Sequence, residues 1–132
     1  MKRPLGTHSL EVNGDFILTH LNGQFTLADM QDFYALAEEL TKQGPLYILA
    51  DMNRGGSIQA EARRYAVDNG SRVKIAATAV YGVNLVLKTI LTLLARATAL
   101  HNRAEDTVAF FTTESQARAF LQTVRERNAK AQ

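Results

Sequence analysis

Cysteine is absent from the 132-residue chain. That excludes disulfides, thiolate nucleophiles and Cys-based zinc or iron sites, and it fits a reducing, cytoplasmic setting. The opening "MKRPLGTHSLEVNGDF" carries Lys2 and Arg3 but no apolar run of signal-peptide length, so export by that route is not expected. No Gly-rich loop ending in Lys-Ser/Thr is present to cradle a phosphate, and "GGSIQ" is not the G-x-S-x-G elbow of a serine nucleophile. The histidines are His8, His20 and His101. His8 and His20 fall on an opening hairpin, where they could face one another as surface residues without a third ligand, so neither a metal nor another cofactor is expected. A serine nucleophile also needs a base and an orienting acid, and no such grouping is legible; the chain does not read as an enzyme.

Charge is nearly balanced at +2, but unevenly spread. Residues 1–70 hold six Lys or Arg against nine Asp or Glu, a net of −3, and residues 71–132 hold nine against four, a net of +5. The basic residues of the second half, including Arg103, lack the interleaved aromatics on which single strands stack, so nucleic acid is not an expected partner. With 46% hydrophobic residues the chain suits one domain, residues 1–132, with a core over about 8–124 and a solvated tail, "RERNAKAQ", from about 125.

Periodicity orders the rest. "HSLEVNG" and "DFILTHLNG" alternate around Asn13 and Gly14, a hairpin signal. Thr26 and Asp29 make an approximate capping box for a helix whose core face is Leu27, Met30, Phe33, Tyr34, Ala37 and Leu40, stopped by Gly44 and Pro45. "LYILAD" reads as an interior strand, and a helix is predicted from about Ser57 to Asn69. "IAATAV" is a further buried strand, Gly82 admits a long helix over about 83–101, and "DTVAFF" is the last strand. Thr113 and Gln116 cap the final helix. The predicted order is β-β-α-β-α-β-α-β-α: an α/β fold with a mostly parallel sheet and an antiparallel N-terminal hairpin strand.

That order, with "HLNGQFTLADMQDFYAL", "YILAD" and "VAFFTTESQARAFL", resembles the STAS-like, SpoIIAA-like group of bacterial proteins over roughly residues 8–124. The resemblance implies a non-enzymatic regulatory domain. Members are anti-sigma-factor antagonists that bind a kinase-like partner and are switched by phosphorylation of a Ser or Thr after the central strand; others look like small relatives of lipid-carrying Sec14 domains. The acceptor motif of the group reads roughly Asp-Ser-Ser/Thr-Gly, whereas here Asp51 is followed by Met52, Asn53, Arg54, Gly55, Gly56 and Ser57.

Two readings follow. In the first, a protein partner, kinase-like or anti-sigma-type, docks on the loop and helix start at 51–61. Ser57, which otherwise reads as a plain N-cap with Asp51 ending the strand before it, is then the candidate phospho-acceptor, at a helix N-terminus where a phosphate is favoured, and Asp51, Asn53, Arg54, Gly55, Gly56 and Glu61 surround it. In the second, a small apolar or lipid-like ligand lies between helix 83–101 and the sheet, with Arg54, Lys88 or Arg96 near an anionic head group. That helix has one polar stripe, Asn84, Lys88, Thr92 and Arg96, and more apolar surface than one sheet face needs, including Leu87, Ile90, Leu91 and Leu94. The surplus is expected to form a homodimer interface, to be tightly covered by neighbouring elements, or to make the ligand groove. Lys88 and Arg96 argue against a membrane span.

Overall fold

The computed structural model describes residues 1–102 and 107–130. Arg103, Asp106 at the start of the expected last strand, and the final two residues of the tail lie outside the described residues.

Three strands open the chain, one more than the sequence pattern predicts. They are β1 (Lys2–Leu5), β2 (His8–Asn13) and β3 (Phe16–Phe25), joined antiparallel. The expected hairpin is β2–β3, closed by the two-residue loop Gly14–Asp15 with Gly14 at φ 62°. β1 is an edge strand, which is why Pro4 is tolerated there without a ladder N–H.

α1 (Leu27–Thr41) follows, with the predicted capping box in place: Thr26 Oγ1 accepts from the Asp29 amide, and Asp29 accepts from the Thr26 amide. Then come β4 (Leu46–Ile58), α2 (Ala60–Asn69), β5 (Ile75–Tyr81), α3 (Leu85–His101), β6 (Val108–Phe111) and α4 (Glu114–Lys130). The sheet order is β1-β2-β3-β4-β5-β6, and from β3 onward every pairing is parallel. The predicted α/β class with its antiparallel N-terminal hairpin is therefore the observed one.

Because side chains alternate along a strand, the sheet has two distinct faces. Ile17, Ile48, Ala50 and Val80 pack under α1, α2 and the start of α3, whereas Leu18, Leu49, Ala79 and Tyr81 pack under Ala117, Leu121 and Val124 of α4. Leu46 to Ala50 are buried throughout, as an interior strand requires. α4 begins as predicted, with Thr113 Oγ1 accepting from the Gln116 amide and Gln116 Oε1 from the Thr113 amide. It continues through the expected tail: Arg125 pairs with Asp15 at 3.0 Å, and the Asn128 amide donates to the Tyr47 hydroxyl. No helix among the described residues is long and apolar enough to cross a membrane.

The largest departure from the sequence reading is β4. It extends thirteen residues, through Asp51, Asn53, Arg54, Gly55, Gly56 and Ser57 to Ile58, where a loop and a helix start at Ser57 were expected. Its second half pairs with Asn22, Gly23 and Phe25 of β3 across two register shifts. In each shift β4 advances three residues while β3 advances two, so β4 carries the extra residue. Glycine makes this approach possible: a Cβ on Gly56 would lie 2.9 Å from the Gly23 carbonyl carbon. The N-cap of α2 is Gln59, whose side-chain oxygen accepts from the Leu27 amide of α1 at 2.9 Å and makes no bond to its own helix. Ser57 is consequently not a helix cap.

Candidate functional site

Two groupings stand out, one on each face of the sheet. On the α4 face, the in-register pairing of β3 with β4 sets His20 beside Asp51, with Nδ1 3.0 Å from Oδ2. Asp51 Oδ1 accepts from both the backbone and side-chain nitrogens of Asn53, at 3.0 and 2.8 Å. Burial pushes the Asp51 carboxyl up, but the bonds from Asn53 and His20 outweigh it and hold the group below its ordinary value. One strand over, the Tyr81 hydroxyl donates to Glu114 at 2.9 Å, and Glu114 pairs with Arg118 at 2.8 Å. Burial, then the Glu114 bond, push the Tyr81 phenol up; Arg118 and Tyr81 hold Glu114 low.

Tyr81 ends β5, at the usual ligand edge of open α/β sheets, whereas His20 and Asp51 lie mid-strand in β3 and β4. The cluster's internal pairings are complete, and among the described residues no three His, Cys, Asp or Glu side chains are placed to hold a metal ion. The other residues predicted around Ser57 are scattered. Arg54 and Glu61 are exposed, Ser57 Oγ accepts from Gln24 Nε2 at 3.2 Å, and Gly55 backs onto Met52 and Leu87. The structure brings together Asp51 and Asn53 and adds His20, which the sequence reading placed opposite His8. The signal that would have found it is the parallel register of β3 with β4.

His8 is not a surface residue. It is 3% exposed, and both ring nitrogens are engaged. The Asn22 amide donates to Nδ1 at 2.8 Å, so the proton sits on Nε2, which faces Asp29 Oδ2 at 3.2 Å and the Gln24 carbonyl at 3.1 Å.

The opposite face holds a cavity of about 310 Å³. Its floor includes Leu10, Thr19, Ile48, Ala50, Thr78 and Val80, its walls Phe33, Tyr34 and Ala66, and its roof Leu91, Leu94, Ala95, Thr98 and Ala99 of α3. The space exists because α3 rests mainly on α2. Near its C-terminus α3 comes so close that a Cβ on Gly70 would lie 2.4 Å from Asn102 Nδ2. Beyond Leu91 and Leu94 the inward part of α3 presents the small residues Ala95, Thr98 and Ala99, and only Leu87 of its seventeen residues is fully buried.

The four apolar candidates on this helix therefore separate. Leu91 and Leu94 line the cavity, whereas Leu87 and Ile90 border a shallow groove with Gly56, Ser57, Asn84, Leu85 and Val86. Arg54, Lys88 and Arg96, expected near a ligand head group, do not line the cavity, and Lys88 Nζ lies over the Phe110 ring, 5.4 Å from its centroid. Tyr34, in the cavity wall, donates to the Ala66 carbonyl, and its phenol is pushed up to about 12 by burial and then by Tyr65.

Residues 16–125 match a family described as a domain of unknown function, DUF7793. The chain belongs to this family. Its fold is that of SpoIIAA: the anti-sigma factor antagonist SpoIIAA in its unphosphorylated form superimposes with a TM-score of 0.59 at 11% identity, covering 88% of this chain and 98% of that one. An uncharacterized DUF3478-family protein from Shewanella loihica PV-4, described as having a SpoIIAA-like fold, gives a TM-score of 0.58 at 16% identity, covering 87% and 92%. The resemblance read from the sequence is thus correct for the fold. None of the curated proteins matches the sequence.

Proposed function

We infer that this family member is a non-catalytic binding module that holds a small apolar molecule between its sheet and α3. The observation that carries the reading is the cavity of about 310 Å³ inside a small domain. Protein interiors are close-packed, with few voids larger than a water molecule. The cavity's walls are mostly apolar and partly reached by water, so a bound apolar molecule gains by covering them. The volume is also at the lower end of the range of small-molecule sites, roughly 300 to 1,000 Å³.

The surroundings favour holding over chemistry. The His20–Asp51 pair lies on the other face, and the one histidine in the wall, His8, has both nitrogens occupied. The experiment is saturable binding of a neutral fluorescent hydrocarbon-like probe, 1-aminoanthracene, to the purified protein. One site per chain is expected; absence of saturable binding counts against the reading.

A second reading, association with another copy through α3, is favoured by exposed apolar residues: Leu85 at 80%, Val86 at 72%, Leu93 at 61% and Leu100 at 84%. Val86, Leu93 and Leu100 recur every seven residues and so share one stripe of the helix. Sedimentation should show a dimer that Leu93→Glu converts to monomer, and a wild-type monomer at micromolar concentration rejects this reading.

A further inference from the structure

We propose that the outer face of α3 docks on an anionic lipid surface, with the helix lying in the plane of the interface. The proposal goes beyond the binding-module reading and does not depend on it. Leu85, Thr89, Leu93, Arg96 and Leu100 follow one another at steps of three or four residues, with Val86 beside them, so the six share one face of the helix. All six are exposed, and from Leu85 to Leu100 the face runs about 22 Å at about 1.5 Å per residue. The Thr89 hydroxyl donates to the Leu85 carbonyl at 3.0 Å and so is spent on the helix itself. Exposed apolar residues scattered singly are ordinary, but four large ones in one strip mark a docking surface.

Charge chooses the occupant. Lys88 and Arg96 are both exposed, and none of the seventeen residues of α3 is Asp or Glu. Arg96 lies three residues from Leu93 and four from Leu100, within the apolar strip. A second copy pressed against this face, the occupant of the second reading above, brings another Arg96 and no carboxylate of α3 to meet it. An anionic bilayer supplies phosphates for both cations, whose long stems let the charged ends reach the head groups while the leucines enter the acyl boundary. The inner side of the same helix roofs the cavity with Leu91, Leu94 and Ala95, so a docked α3 stands between the bilayer and the cavity.

The test is co-sedimentation of the full chain with vesicles of phosphatidylcholine alone and of phosphatidylcholine with about 30% phosphatidylglycerol. Binding to the anionic vesicles is expected to be at least about ten-fold tighter than to the neutral ones and to weaken as salt is raised. Leu93→Ser and, separately, Leu100→Ser should each weaken it about ten-fold, and Lys88→Gln and Arg96→Gln about five-fold each. None of these four side chains lines the cavity, so the variants should keep their circular dichroism and, without vesicles, their uptake of 1-aminoanthracene. Absence of binding to anionic vesicles, equal binding to both kinds, or binding unchanged in all four variants overturns the proposal and leaves the binding-module reading intact. A protein that stays dimeric and unbound beside anionic vesicles overturns it in favour of a second copy. Vesicle binding with the expected variant losses, by a protein that takes up no 1-aminoanthracene, upholds the docking and overturns the binding-module reading alone.

Discussion

Replacing Asp29 with alanine is expected to lower stability by about 3 kcal/mol and the thermal midpoint by about 10 °C. Asp29 is 6% exposed and serves three structures at once. Its carboxylate accepts from the Thr26 amide at the head of α1, completing the capping box, and from His8 Nε2 on β2 at 3.2 Å. It also fills the space beside Gly6, where a Cβ would lie 2.2 Å from Asp29 Oδ1. Losing an N-terminal capping pair costs about 1 kcal/mol, and a hydrogen bond to a buried charged group about 1.5 to 3 kcal/mol. Alanine leaves a cavity and one orphaned amide, whereas Asp29→Asn keeps an acceptor and should recover part of the loss. Melting followed by circular dichroism checks both, and a shift below about 3 °C in the alanine variant would show that the network is decorative. Because His8 and Phe25 wall the cavity, the same network fixes one end of the ligand site.

Ala95→Phe is expected to abolish binding of the apolar probe, by at least 100-fold, while leaving the thermal midpoint unchanged or raised. Ala95 lies on the cavity side of α3. A phenyl group there takes the space of about six carbon-sized groups of a ligand, and at about 0.8 kcal/mol for each that removes about 5 kcal/mol of binding. The void is already present, so the added ring fills space without overpacking. Titration with 1-aminoanthracene and melting of the same sample separate the outcomes: retained affinity means that the probe binds elsewhere, and a large fall in midpoint means that the cavity is smaller than its walls imply.

Much of the fold was legible because its signals are local. The Thr26–Asp29 and Thr113–Gln116 boxes, the buried run at Leu46 to Ala50 and the glycines that stop α1 and precede α3 are each written within a few residues. The failures have a common cause: they depend on what another segment does. Ser57 has the form of an N-cap, but Gly23 and Gly56 let two backbones meet, and the sheet ladder there outcompetes the helix start. His20 looked like a partner for His8 on a hairpin, and only the parallel register with β4 gives it Asp51. His8 reads as a surface residue in the sequence because its partners, in the second half of β3 and the first turn of α1, lie fourteen or more residues away. The apolar surplus of the long helix was legible, with Leu91 and Leu94 among its members. Which part faces inward, and that the inward part leaves a cavity, follow from how α3 leans on α2.

Native mass spectrometry of the gently purified protein, set beside the same sample denatured, tests the central claim most directly. The account predicts a reproducible added mass, one per chain, that disappears on denaturation and extracts into organic solvent as a small apolar molecule. Apo mass alone, together with no uptake of 1-aminoanthracene, would contradict it and leave the cavity without an occupant.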